Sequence, residues 1–156
     1  MLTEFAEFIL YTQLLLSNPA GLGVGLIWSN DEVAQGFAWD EDTIAFGVPD
    51  HDGDCLVSVD TGPETSLVVA DDALWAVAVP FTAAGPTVEV GTVLSECPIP
   101  IVPGRYQVLF QARPGTTEHA FRLEITFSRN DRPGFAILKQ GILKTGRVLR
   151  KQASRV

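Results

Sequence analysis

The sequence predicts an all-β protein: a single antiparallel β-sandwich with one short helix near residues 30–35. Three observations carry that reading. Apolar residues alternate with polar or small ones in stretch after stretch, and Pro and Gly interrupt these stretches at short intervals. At 156 residues the chain is long enough for one domain with a proper core and gives no reason to posit two.

The first apolar stretch, residues 6–16, reads as one strand. In WSNDEV, Ser29 as N-cap and Glu32 three residues on form a capping box, in which each side chain satisfies a free backbone N–H of the other. Trp28 and Val33 are placed to form a hydrophobic staple, and Asp31 and Glu32 suit the positive end of the helix. Gly36 then stops the helix. Strands are expected at 42–48 and 55–60. Trp75, Val77, Val79 and Phe81 alternate with small residues, and further strands follow at 87–94 and 98–102. Tyr106, Val108 and Phe110 alternate with Gln107 and Gln111 in another strand. Phe121, Leu123, Ile125 and Phe127 alternate with Arg122, Glu124, Thr126 and Ser128, the pattern of a strand with one wet face. About eight short strands at this spacing suit a sandwich or barrel. Alternation fades after Phe127, so residues 1–138 are expected to form the sandwich. Residues 139–156 read as a basic C-terminal tail, mobile or laid against the acidic body, whose removal leaves the fold intact.

Composition narrows the partners. An apolar fraction of 46% excludes a disordered chain. Charge is segregated: no Lys or Arg precedes Arg105, whereas the first 104 residues hold 16 of the 19 Asp and Glu. Residues 1–138 carry 19 acids against 5 bases, a balance of −14, and the tail carries +6 with no acid. A field of that sign repels nucleic acid and anionic membrane and speeds encounter with a basic partner. Direct nucleic-acid binding by the acidic body is therefore not expected.

The N-terminal run MLTEFAEFILYTQLLLSNP has Glu4 and Glu7 where a signal peptide carries Lys or Arg, and no small-residue cleavage site follows. No uncharged run reaches the length of a membrane span. Cys55 and Cys97 read as reduced thiols, with Cys55 packing at the head of a strand. A cytoplasmic location is the expectation.

The stretch PDHDGDC places Asp50, Asp52 and Asp54 at alternate positions around His51 and Gly53. An EF-hand loop opens this way, but with Asp50 first, the sixth position is Cys55 rather than Gly and the twelfth is Thr61 rather than Glu. A solvated turn is the plainer reading, with a weak metal site and a partner-binding acidic tip as the alternatives. His51 and His119 lie in no HExxH or zinc-ligand spacing, and neither GxSxG nor a P-loop occurs. Asp40 and Asp42 form a carboxylate pair that acid–base chemistry can use, but dense loop carboxylates are ordinarily just solvated. The reading is a protein that is not an enzyme, with no catalytic residue, cofactor or metal assigned.

Taken in order, ILYTQLLLSN, IWSNDEVAQGFAWDEDTIAFGV, WAVAVPFTAAGPTVEV and IPIVPGRYQVLFQARP resemble the competence protein J family of nuclease inhibitors. Three pieces carry the resemblance: W-S-N-D-E with the Gly36–Phe37 pair, V-P-F at Val79–Phe81, and the P-G-x-Y turn at Pro103–Tyr106. It runs from near Phe8 to near Ser128. The family implies a small β-rich protein that binds and silences a metal-dependent DNA nuclease, of the kind used in DNA uptake or deployed as a toxin domain. PDHDGDC is more acidic than the family pattern, and the basic tail extends past it.

The charge distribution suits such a role. A nuclease needs a positive surface for phosphates, and a strongly acidic face can occupy it as a crude DNA mimic. Asp40, Glu41 and Asp42, then Asp50, Asp52 and Asp54, then Asp71 and Asp72 supply such a face if their loops gather at one end of the sandwich. Trp39 beside the first group is a candidate anchor, since interface hot spots favour large aromatics; its alternative is ordinary core packing. A calcium-dependent carbohydrate- or lipid-binding sandwich and a structural subunit of a larger assembly stay open as other classes.

Overall fold

The computed structural model describes residues 1–10, 12–19, 26–62, 65–92, 94–143 and 149–155, the side chains of residues 154 and 155 excepted. Tyr11, Val93, and Lys144 and Arg147 of the tail lie outside the described residues. Two sheets face each other. The first has six strands: β1 (Leu2–Phe8), β6 (Asp54–Asp60), β11 (Phe121–Arg129), β10 (Gly104–Pro114), β7 (Trp75–Ala83) and β12 (Ala136–Lys139), neighbours in that order. The second has five: β4 (Phe37–Trp39), β5 (Thr43–Gly47), β2 (Gln13–Ser17), β8 (Thr87–Thr92) and β9 (Ser95–Pro100). A two-stranded ribbon pairs β3 (Leu26–Ile27) with β13 (Ser154–Arg155).

The alternating apolar residues fill the space between the sheets. Val77, Val79 and Phe81 of β7, Val108 and Phe110 of β10, and Leu123, Ile125 and Phe127 of β11 are all buried in one cluster with Leu14, Leu16, Ile44 and Phe46 of the second sheet. Phe46 stacks on Phe110 across the gap, ring centroids 4.6 Å apart and nearly parallel at 6°. Tyr106 is buried, and its hydroxyl donates to the carbonyl of Val102, four residues upstream.

Helix α1 (Asn30–Gln35) begins as its sequence dictates. The Glu32 N–H donates to Ser29 Oγ at 3.3 Å and the Ser29 N–H to Glu32 Oε1 at 2.9 Å. Gly36 closes the helix at φ +86°, a left-handed conformation that favours glycine. A Cβ there would lie 2.7 Å from a methyl of Leu143, which packs into the space the glycine leaves. Val33 stays 64% exposed on the outside of the helix.

Two expectations need correction. Residues 6–16 are not one strand: β1 belongs to the six-stranded sheet and β2 to the five-stranded one, and between them Thr12 adopts φ 52° with its carbonyl accepting the Val48 N–H at 2.9 Å. A continuous apolar run conceals the crossing because both halves bury one face. Nor is the sandwich wholly antiparallel, because β11 pairs with β6 in parallel, Leu123 opposite Val57. Sequence alternation reports which face is buried and carries no strand direction.

Of the tail, Lys139 ends β12 on the edge of the first sheet, and Leu143 and Ala153 are buried. Gln35 clamps the backbone of Arg150, its Nε2 donating to the carbonyl at 2.9 Å and its Oε1 accepting the N–H at 2.8 Å.

Candidate functional site

Asp40, Glu41 and Asp42 form the turn between β4 and β5. Glu41 is exposed, but Asp40 is only 5% exposed. Its Oδ1 accepts the Asp42 N–H at 3.0 Å and its Oδ2 accepts Gln152 Nε2 at 3.1 Å, so this carboxylate organises the turn from within. Trp39 is half-buried. Its indole N–H donates to the Pro80 carbonyl at 2.8 Å, and its ring meets Phe135 edge-on at 5.3 Å. Lys151 of the tail lies 5.4 Å above that same Phe135 ring, and the Ala153 N–H donates to the Trp39 carbonyl at 2.7 Å. The C-terminal segment thus lies over the Trp39 side of the turn. On the other side a concavity of about 450 Å³ opens between Trp39, Glu41, Asp42, Asn18 and Thr82.

Asp50, Asp52 and Asp54 are exposed on the turn that leads into β6, where Gly53 takes φ +96°. His51 folds inward, its ring 5.4 Å from Phe121 and its Nε2 3.2 Å from Cys55 Sγ. Burial, with the Asp54 charge adding to it, pushes the Cys55 thiol up to about 11. A reactive cysteine needs the opposite shift. The protonated thiol and His51 Nε2 share a hydrogen bond, and the pair packs the turn onto the sheet.

Asp71 and Asp72 precede β7, both exposed. Asp72 is already neutralised: Arg113 reaches it at 2.7 Å and Arg122 at 2.8 Å. The Arg113 hydrogen bond, more than any other influence, holds the Asp72 carboxyl below the usual carboxylate range. Arg113 also pairs with Glu124 at 3.0 Å. Asp71 offers its backbone carbonyl to Lys139 Nζ at 2.9 Å.

The three groups do not converge. Asp54 and Asp72 lie where β6 and β7 begin. The Asp40–Asp42 turn lies where β7 ends, tied there by Asn18, which takes the Ala84 N–H at 3.0 Å and donates to the Thr82 carbonyl at 3.0 Å. Nine residues of β7 separate the two ends, roughly 25–30 Å at about 3.3 Å per residue.

A further acidic surface is built from strand residues. β1 and β9 are the edge strands of their respective sheets, and the two edges meet. Glu7 of β1 takes a hydrogen bond from Ser95 of β9, and burial, together with the Asp54 charge, nonetheless raises its carboxyl. The Cys97 thiol on β9 is raised too, by burial first and then by Glu89 and Glu7. The strand alternation of LTEFAEF places Glu4 and Phe8 on the outer face. What it leaves unsaid is that β1 lies at an edge. Among the described residues, no three of His, Cys, Asp or Glu are placed to hold a metal ion.

Residues 7–128 match the family model of competence protein J (ComJ). No curated protein matches the chain in sequence. The crystal structure of ComJ from Bacillus subtilis, inhibitor of the DNA-degrading activity of NucA, superposes with a TM-score of 0.68 at 16% identity, covering 83% of this chain and 96% of that one. The structure of the crocagin biosynthetic gene J product aligns over 84% of this chain and 96% of its own at 11% identity, with a TM-score of 0.43. The family match over residues 7–128 spans most of both sheets. The chain belongs to the competence protein J (ComJ) family.

Proposed function

We propose that this protein is an inhibitor, not an enzyme, which binds a metal-dependent DNA nuclease and blocks its DNA-binding surface or active site. Family membership over residues 7–128 carries the reading, because the Bacillus subtilis member with the same fold inhibits the DNA-degrading activity of NucA. The physical logic is electrostatic. A nuclease surface that attracts phosphates also attracts a protein with a net charge of −8. The partner is a nuclease of DNA uptake or a nuclease toxin domain, the second making this an immunity-type protein. The free thiols of Cys55 and Cys97 suit a reducing compartment, the cytoplasm.

The test is a DNA-cleavage assay with the nuclease captured from the native cell. Titration with this protein should abolish cleavage at about one equivalent. Undiminished cleavage in the presence of excess protein overturns the reading.

A further inference from the structure

We propose that the nuclease docks on the seam where β1 meets β9, with Phe8 as its apolar anchor and strand carboxylates facing a basic, phosphate-binding surface. This inference rests on the proposed function and names the surface that performs it.

Several carboxylates outside the seam are already engaged. Asp72 is held by two arginines, Glu124 by Arg113, Asp60 lies 3.7 Å from the Met1 amino group, and buried Glu32 lies 3.6 Å from Arg150. Asp40 is buried and committed to its own turn. These carboxylates serve the fold. In contrast, Glu4, Glu7, Asp54, Glu89 and Glu96 form no ion pair among the described residues. Glu4 takes only the Ser58 hydroxyl, at 2.8 Å.

The uncompensated carboxylates flank the seam, Glu4 and Asp54 on the outer face of the first sheet and Glu89 and Glu96 on that of the second. Phe8 stands opposite Asp54 in the β1–β6 register, with Glu4 further along the same outer face, while Glu7 on the other face of β1 turns towards β9. Glu7 reaches Ser95, and both Glu7 and Glu89 act on Cys97. The exposed Asp50 and Asp52 continue directly from Asp54. Like charges crowded this way repel one another, and a cationic surface relieves that repulsion; burial is the larger cause of the raised Glu7 carboxyl, with the Asp54 charge adding to it.

Two further features distinguish the seam from a merely solvated acidic face. Phe8 is 60% exposed and Leu2 59%, both on the outer face of β1, so an aromatic and an aliphatic side chain stand among the carboxylates. The outer backbone edge of β1 has no strand beside it, leaving N–H and C=O groups for an extended segment. A buried aromatic ringed by charge is the usual composition of an interface hot spot. The occupant is a basic protein surface rather than a second copy of this chain, because two copies would set these carboxylates against each other. Charged edge strands also guard against aggregation, so the experiment must read binding rather than solubility.

The experiment measures association and dissociation rates with the cognate nuclease, together with cleavage, for full-length variants whose melting is checked first. Phe8→Ala should speed dissociation by about tenfold or more. Glu4→Lys with Glu96→Lys should slow association by about tenfold at low salt and flatten its salt dependence. Glu41→Lys, on the far end of the sandwich, should stay within about twofold. Wild-type protein that inhibits, with both seam variants binding like it, overturns the seam and leaves the inhibitor reading standing. Wild-type protein that neither binds nor inhibits removes that reading, and the seam with it. Self-association that Phe8→Ala abolishes, with nuclease binding unchanged, assigns the surface to a second copy and overturns the proposal.

Discussion

Asp40 and Asp52 are both loop aspartates, and a lysine meets opposite surroundings at the two positions. At Asp40 it replaces a buried acceptor of the Asp42 N–H and Gln152 Nε2, leaving both donors unmatched. Asp40→Lys should therefore cost about 2 kcal/mol or more in urea denaturation. Asp52→Lys, exposed on its turn, should stay within about 0.5 kcal/mol. Equal midpoints for the two would contradict the burial. Tyr106 makes a comparable point in the core: Tyr106→Phe strands the Val102 carbonyl and should lower stability by about 1 kcal/mol. Cys55 adds a pH dependence. Its folded thiol titrates at about 11 against an ordinary 9.0. Below pH 9 the thiol is protonated in both the folded and unfolded chains, so its contribution to stability is fully present there. As pH rises towards 11 the unfolded chain releases the proton first, and that contribution is lost. Cys55→Ala should lessen the fall in melting temperature between pH 9 and 11. A thiol reagent at neutral pH should modify Cys97 before Cys55, the buried one of the two.

At the scale of elements, the capping box of α1 was legible because both of its hydrogen bonds close within four residues. The division of residues 6–16 was not: Leu14 and Leu16 face the core from one sheet while Phe5 does so from the other, and alternation looks alike in both. The segment after β12 follows the same rule. Leu143 covers the Cβ-less Gly36, a contact across more than a hundred residues that no local pattern records. Leu143→Ala should cost about 2–3 kcal/mol. Removing residues 139–156 takes away Leu143, Ala153 and the β3 partner strand. Circular dichroism of the truncated protein should keep its β character, while the melting temperature falls markedly. An unchanged melting temperature would mean that these contacts contribute nothing.

For the whole molecule, the segregation of charge along the chain becomes a partition by role. Carboxylates near the late arginines are neutralised in pairs, and those at the β1–β9 side are left to set the external field. That field is screened within about 10 Å at 0.1 M salt. Association with the nuclease should therefore slow steeply as salt rises while dissociation changes little, a split that stopped-flow mixing reads directly. A salt-independent association rate would argue against electrostatic docking of any kind.

The sequence by itself determined the β-rich class, the capped helix, the buried face of each strand, the excess of negative charge and the resemblance to the ComJ family, because each depends on residues near one another in the chain or on their sum. Tertiary structure alone decided that Asp40 faces inward, that Asp72 is already paired, that the three acidic loops lie at two ends, and that the meeting of β1 with β9 brings Glu7 to Ser95 and Cys97. Whether a carboxylate is free to meet a partner depends on which cation the fold places within a few ångströms of it. Arg113 and Arg122 reach Asp72 across 41 and 50 residues, separations at which only strand pairing, and no local pattern, determines the neighbour.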